Sequence, residues 1–126
     1  MALIEAGKLD RRIRLERGGQ MTHNGFQNVP GPPVVLARPW ARWLPGPGDE
    51  KFAAAENAAT VTGRFRIRWT RALDPDRIDP GAPGLNAKDW VRYPNKDDGR
   101  KYEIVAAVTM GRREGIEIYV IARGDQ

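Results

Sequence analysis

The sequence predicts a small, mainly all-β fold: an antiparallel β-barrel or sandwich of about six strands, with one short helix and long loops. Several segments alternate apolar and polar residues, which is typical of strands because successive side chains point to opposite faces. The chain also has 14 glycines and 10 prolines among its 126 residues. This content favours many turns between short elements over a helical bundle. At this length we expect a single domain over residues 1–126.

Residues 60–69 show the clearest alternation. Two faces follow from it: Val61, Phe65, Ile67 and Trp69 on the apolar one, and Thr62, Arg64, Arg66 and Arg68 on the polar one. Further strands are predicted at residues 11–17, 34–44, 90–93, 101–110 and 114–123. Because proline has no backbone donor, the second of these should be bent, bulged or at an edge near Pro39. In the segment at residues 101–110, Tyr102, Ile104 and Val108 are expected on one face, and the last two segments should form a hairpin.

The segments between the strands are long. Residues 18–33 are rich in glycine and proline, with Phe26 and Val29 as their apolar anchors, and are predicted to be a mobile excursion that contacts a neighbour. Residues 72–89 form a second irregular stretch. Between residues 45 and 59, Asp49 occupies a helix N-cap position ahead of Glu50, Phe52 and an alanine-rich run, which predicts a short helix.

The composition and motifs of the chain exclude several kinds of functional site. The chain has no cysteine and one histidine, which excludes disulfides, thiolate metal sites and histidine clusters. No glycine-rich phosphate-binding motif is present. Asp74, Asp76 and Asp79 lack the glycine and terminal glutamate of a calcium-binding loop and are interpreted as a solvated loop. We therefore expect neither an enzyme nor a cofactor-binding protein.

The charge balance favours an anionic partner weakly. Lys and Arg number 21 against 16 Asp and Glu, a net charge of +5. The row of Arg64, Arg66 and Arg68 is compatible with nucleic-acid contact, with pairing to an adjacent subunit or with plain solvation. Trp40, Trp43 and Trp90 are interpreted as core or interface anchors. No segment is apolar enough to span a membrane, so a soluble protein made in a cytoplasm is expected, with no membrane partner.

Four segments, taken in order, resemble the phage head-tail joining, or head closure (stopper), family. They are GKLDRRIRL at residues 7–15, WARW at residues 40–43 followed by GDE at residues 48–50, RIRW at residues 66–69, and GRKYEIV at residues 99–105. The resemblance runs from residue 7 to about residue 122. Two stretches depart from the family pattern: residues 72–89 are longer than its usual link, and residues 18–33 hold more proline.

The resemblance implies a structural subunit of a virion, or of a prophage or gene transfer agent particle, that is made in the cytoplasm of a bacterial host. Such subunits form a six- or twelve-fold homo-oligomeric ring between a portal or adaptor protein and a tail terminator or tail-tube protein. The ring lines the channel for double-stranded DNA, retains the packaged DNA and docks the tail. The alternative function is a free-standing, basic β-barrel that binds nucleic acid.

Three groups of site residues follow as expectations. Arg64, Arg66 and Arg68 are candidates for facing the DNA channel or an adjacent subunit, because the row would otherwise be unpaired positive charge. Gly46, Gly48, Asp49, Glu50 and Phe52 are candidates for a mobile segment that closes the channel. Phe26, Val29 and Trp90 are candidates for interface contacts.

Overall fold

The computed structural model describes residues 6–23, 25–46 and 61–122. Strands dominate this part of the chain, and its helical content is limited to 3₁₀ turns at Ala6–Lys8 and Arg71–Leu73. The strands are β1 (Arg11–Arg12), β2 (Arg14–Arg17), β3 (Met21–His23), β4 (Asn28–Pro30), β5 (Val34–Ala37), β6 (Trp40–Pro45), β7 (Gly63–Arg68), β8 (Trp90–Tyr93), β9 (Arg100–Met110) and β10 (Gly115–Ala122). The predicted all-β class is confirmed, and the predicted helix at residues 49–59 lies outside the described residues.

Eight of these strands form one antiparallel sheet in the order β1-β6-β7-β10-β9-β8-β2-β5. β1 and β2 are separated only by Ile13, yet β1 stands at one end of this order and β2 lies near the other. The sheet therefore curls back on itself as a half-barrel. The Ile13 N–H donates to the Pro39 carbonyl at 3.1 Å, which joins the two regions where the chain crosses between the ends.

The sheet has more strands than predicted because two predicted strands each divide. Residues 11–17 divide at Ile13 into β1 and β2, and residues 34–44 divide at Arg38 and Pro39 into β5 and β6. The interruption expected at Pro39 is confirmed. The short strand at residues 90–93 and the terminal hairpin are also confirmed, with residues 111–114 as the turn of that hairpin.

The concave side of the sheet holds the apolar core. Phe65 and Ile67 on β7 pair with Ile118 and Ile116 on β10, so the alternating faces of the two strands meet. The ring centroids of Trp43 and Phe65 lie 4.8 Å apart, with the two rings tilted against each other. The ring of Tyr102 contacts Phe65 edge-on, with a centroid distance of 5.5 Å. These packed aromatic rings fix which face of each strand points outward.

A bulge in β9 places one residue on the face opposite to the predicted one. Ile104 pairs with Val120 and Ala106 pairs with Tyr119, so Val105 is an extra residue between two ladder pairs. A bulge shifts the alternation by one position. Ala107 consequently packs against the core, and Val108 is 48% exposed on the outer surface. The prediction that Val108 shares a face with Tyr102 and Ile104 is wrong.

Residues 18–33 contain a two-stranded antiparallel hairpin, in contrast to the irregular excursion expected there. Met21 pairs with Pro30, Thr22 with Val29 and His23 with Asn28. The Gly31 N–H also donates to the Gln20 carbonyl at 3.1 Å. We call residues 18–33 the arm.

Residues 71–89 lack strands but are fixed by buried carboxylates. Asp74 accepts hydrogen bonds from the backbone N–H groups of Asp76 and Ile78, each at 3.2 Å, and Arg17 Nε donates to Asp89 Oδ1 at 2.7 Å. The interpretation of Asp74 as part of a solvated loop is wrong, because this carboxylate is buried as the hydrogen-bond acceptor that shapes the loop.

Candidate functional site

The convex side of β1, β6 and β7 carries a group of arginines, of which Arg12 and Arg68 are exposed. Antiparallel register places Arg12 opposite Trp40, and Arg42 opposite Arg66. Arg64 and Arg68 lie two residues away from Arg66 on the same face of β7, at a spacing of about 7 Å. We call this surface the outer basic face, formed by Arg12, Trp40, Arg42, Arg64, Arg66 and Arg68.

One buried carboxylate supports two of these arginines. Glu117, on the neighbouring strand β10, is only 6% exposed. Its Oε2 accepts from Arg66 Nε at 2.5 Å, its Oε1 lies 3.5 Å from Arg64 Nε, and the Tyr119 hydroxyl donates to Oε1. Charge-assisted bonds of this kind hold long arginine side chains in one geometry. The cluster borders a shallow depression of about 300 Å³ between β7, β9 and β10.

The reason given for the role of Arg64, Arg66 and Arg68 does not hold in the structure. The row was expected to be unpaired unless it met DNA or another subunit, but Glu117 pairs with Arg64 and Arg66 within the chain. That premise is wrong because alternation along β7 does not reveal which residues lie opposite on β10. Arg68 lies opposite Gly115 at the end of the row and is exposed.

Trp40 lies among the arginines, where sequence reasoning did not place an aromatic ring. Its side chain is 51% exposed, and the Arg12 guanidinium lies 5.3 Å from the ring centroid. Trp40 is therefore not a core residue. The signal was available in β6, where Ala41 and Trp43 face the core and the alternation turns Trp40 outward.

The convex side of β2 and β8 is different because its charges compensate one another. Glu16 accepts from Trp90 Nε1 at 2.6 Å and from Arg92 Nε at 3.0 Å, and Arg14 bridges Glu16 to Asp97. Burial alone would raise the pKa of Glu16, but these hydrogen bonds and the charge of Arg92 outweigh it and lower the pKa. Arg14 and Arg92 on this side are thus paired with carboxylates of the same chain.

The described residues hold no group of three or more side chains suited to a metal ion. Within the same residues, no helix has the length and apolar character to cross a membrane.

Comparison with known proteins assigns the family. Residues 4–123 match the family model of the phage head completion protein. The chain belongs to this family. The fold is also similar to the solution structure of protein SF1141 from Shigella flexneri 2a, with a TM-score of 0.61, 20% identity, and coverage of 98% of this chain and 100% of that chain. Comparison with curated proteins finds no match.

Membership in the phage head completion family assigns the chain a structural role in the phage head and makes it a virion component. It also implies contact with other head or tail proteins. The resemblance drawn from the four sequence segments is thereby confirmed.

In this head completion protein, the candidate interface residues lie on two separate parts of the fold. Phe26 is at the tip of the arm and is 94% exposed, while Val29 is half-buried on β4. Trp90 is on β8, with its indole bonded to Glu16 and the Lys101 ammonium 4.3 Å from its ring centroid. The structure therefore does not bring the three residues into one patch within a single copy.

Of the candidate channel-closing residues, Gly46 is described. It has a φ of +88°, a conformation that favours glycine, and its N–H donates to the Thr62 carbonyl at 3.1 Å. This bond joins the two ends of the connection between β6 and β7. Gly48, Asp49, Glu50 and Phe52 lie in that connection, outside the described residues.

Proposed function

We propose that this phage head completion protein is a subunit of a homo-oligomeric ring between the portal or adaptor and the tail. In this role the ring lines the channel for double-stranded DNA, retains the packaged DNA and presents a docking surface for the tail terminator or tail-tube protein. Family membership supports the position in the virion, and the outer basic face supports the contact with DNA.

The observation that carries the proposal is the charge that remains on the outer basic face. Five arginines lie on this face, and Glu117 pairs with two of them, Arg64 and Arg66. Arginine contacts to phosphates bind DNA without reading its sequence. A channel through which a whole genome passes requires that kind of contact, because every sequence must pass equally well.

Within this surface we assign the two arginine groups different roles. Arg64 and Arg66 are held by Glu117 and keep β7 and β10 in register at the surface. Arg12 and Arg68 lie on either side of the exposed Trp40 and are placed to face the phosphate backbone. A test of DNA contact should therefore change Arg12 and Arg68 and leave the partners of Glu117 in place.

The experiment is a double charge reversal, Arg12→Glu with Arg68→Glu, in particles assembled with the variant chain. We expect particles that assemble but lose packaged DNA, measured as protected DNA per particle. Lys96→Glu with Arg100→Glu makes the same charge change at two exposed positions, one in the turn before β9 and one at the first residue of β9, and serves as the control. Normal DNA retention in the Arg12/Arg68 variant would contradict the proposed channel contact.

A solution measurement separates the proposal from the alternative function. A ring subunit should bind a short DNA duplex poorly as a free chain, since one copy offers few phosphate contacts. Tight binding by the monomer, with a steep loss of affinity as salt increases, would instead favour a free-standing nucleic-acid-binding protein.

We also propose that the connection between β6 and β7 closes the channel, through Gly48, Asp49, Glu50 and Phe52. The bond between Gly46 and Thr62 supports this by fixing both ends of the connection to the rim of the sheet. Deleting residues 49–56 should reduce DNA retention while leaving assembled particles. Unchanged retention would contradict the proposal.

A further inference from the structure

The arm continues the β2–β5 ladder out of the barrel. Arg17 pairs with Val34, and the arm pairs Met21 with Pro30 and His23 with Asn28. The residue numbers of the partners add up to the same total in each of these three pairs, so the register is continuous from Arg17 into the arm. From Arg17 to the tip near Gly25, the ribbon reaches roughly 25 Å.

This arm exposes apolar side chains at its base, along its length and at its tip. Among the described residues, three of the six exposed large hydrophobic side chains belong to it or to its base: Met21, Phe26 and Val34. Val34 and Met21 lie on the same face of the ribbon because the register is continuous. Among the residues whose burial the structure describes, none from the arm belongs to the buried core. A two-stranded ribbon of this kind is marginally stable in water unless something packs against it.

A groove that suits the arm tip lies at the base of the same arm. It has a volume of about 530 Å³, and its lining combines apolar residues with charged ones: Ala87, Trp90, Ile104, Val105 and Ile121, and Lys88, Asp89, Lys101 and Glu103. The bulge at Val105 contributes by interrupting the β9–β10 ladder at this place. Asp89, which accepts from Arg17 Nε at 2.7 Å, also lines the groove and fixes it beside the last residue of β2.

The length of the ribbon separates the arm tip from the groove of its own chain. The groove adjoins Arg17, whereas Phe26 lies at the far end of a ribbon that starts there. We propose that Phe26 of one copy occupies the groove of a second copy, against Trp90. This inference deepens the proposed function and rests on it, because it names the contact that would join neighbouring subunits of the ring.

The chemistry of the groove fits an aromatic side chain. Phe26 would stack on or against the Trp90 indole, an arrangement favoured between aromatic rings. Lys101 already lies over the Trp90 ring and would contact the face or edge of a second ring beside it. The tip and the groove are different surfaces, so a contact that passes from each copy to the next is heterologous, and such a contact forms a ring when its rotation closes.

Disulfide cross-linking tests the contact directly because the chain has no native cysteine. We would combine Gln27→Cys, beside the arm tip, with Lys88→Cys, at the rim of the groove. Each copy then carries both partners, so oxidation should produce a ladder of covalent oligomers up to the size of the ring. The matched control pairs Gln27→Cys with Arg112→Cys, which lies in the exposed turn between β9 and β10.

The cross-link is measured in assembled particles and in the purified chain at high concentration. A ladder from the Gln27/Lys88 variant and none from the control supports the contact. Particles that contain the chain but give no ladder overturn the arm contact and leave the ring function intact. A ladder in solution from a chain that never enters particles supports the contact and contradicts the ring function. Dimers from Gln27→Cys alone, without a ladder, would show tip-to-tip pairing and overturn the proposal.

Truncation of the anchor gives a second readout. Phe26→Ala should weaken self-association roughly 10- to 30-fold, the effect of removing a central aromatic anchor. Val108→Ala, which shortens another exposed apolar side chain on a different part of the surface, should leave self-association unchanged. Sedimentation velocity over a concentration series measures both variants. Equal self-association of the Phe26→Ala variant and the unmodified chain would overturn the proposed anchor.

Discussion

Glu117 shows how a single residue controls the geometry of the outer basic face. Its carboxylate is buried on β10, accepts hydrogen bonds from Arg66 and Tyr119, and forms an ion pair with Arg64 at 3.5 Å. Removing the charge leaves the partly buried side chains of Arg64 and Arg66 without their carboxylate. Loss of one partner from a buried ion pair costs more stability than loss of one partner from an exposed pair. Any measurement on the arginine row must therefore separate loss of charge at the surface from loss of this internal partner.

We expect Glu117→Gln to lower the free energy of unfolding by about 1 to 3 kcal/mol, measured by urea denaturation. Asp98→Asn is the matched control, since Asp98 is exposed and lies 3.7 Å from the Lys96 ammonium. That change should stay within about 0.5 kcal/mol. Equal effects of the two substitutions would show that Glu117 does not support the arginines.

Two buried carboxylates predict how stability depends on pH. Burial alone would raise the pKa of Asp74, but the backbone N–H groups of Ile78 and Asp76 outweigh it and lower the pKa. Hydrogen bonds from Trp90 and Arg92 lower the pKa of Glu16 against the same effect of burial. Both groups bind protons less readily in the folded chain than in the unfolded chain. Their stabilisation is therefore present above the unfolded pKa values and is lost as the pH falls through the folded ones.

We expect the urea concentration at the midpoint of unfolding to stay constant between about pH 7 and pH 5 and to decrease below about pH 4.5. Asp74→Asn should lower the midpoint at neutral pH, because it weakens the acceptor in the loop, and should make the decrease in acid shallower. Parallel pH profiles for the variant and the unmodified chain would show that Asp74 does not contribute to the acid sensitivity.

At the scale of elements, the base of the arm depends on close approach of two backbones. A Cβ atom added at Gly19 would lie 2.1 Å from the Pro32 carbonyl oxygen, whereas one added at Gly18 meets nothing within 4 Å. The neighbouring glycines thus form a matched pair. One lies where the strands touch, and the other lies in open space.

Gly19→Ala should destabilise the arm locally by about 1 to 3 kcal/mol because a backbone atom must move. The hydrogen bond from the Gly31 N–H to the Gln20 carbonyl reports on it, and faster exchange of the Gly31 amide is the expected result. Gly18→Ala should leave that exchange rate unchanged. Unchanged exchange in both variants would contradict the close approach at the base of the arm.

Sequence patterns predicted the strands that have one face in the core. β2, β7 and β10 were found from alternation because burial requires it, and the break at Pro39 follows from the missing backbone donor. The arm was missed because its strands have no core face and lie between glycines and prolines. The bulge at Val105 was missed because an extra residue changes the pairing without changing composition.

The candidate site was predicted in part for the same physical reasons. The arginines of β7 were placed on one face correctly, since alternation fixes the face. Glu117 was missed because strand pairing, which sets its position, is long-range information. Asp74 was misinterpreted because a carboxylate that accepts local backbone bonds resembles a solvated turn residue in sequence.

At the scale of the whole molecule, the barrel and the arm perform separable tasks. The core residues come from the curled sheet and from the loop that covers it, with Leu73 and Leu85 as the contribution of that loop. The arm adds exposed apolar surface and no core residue. Stability of the fold should therefore be independent of the arm, while assembly should depend on it.

Replacing residues 21–30 by Asn-Gly tests this division. Gln20 and Gly31 already form the backbone hydrogen bond that closes a two-residue hairpin turn, and Asn-Gly favours such a turn. We expect the Tm at low protein concentration to change by less than about 4 °C, since no core contact is removed. The unmodified chain should show a Tm that increases with protein concentration, because self-association stabilises the folded state, and the shortened chain should lose that dependence. Unfolding of the shortened chain at room temperature would show that the arm belongs to the folding unit, because a barrel that folds independently keeps its transition when the arm is absent.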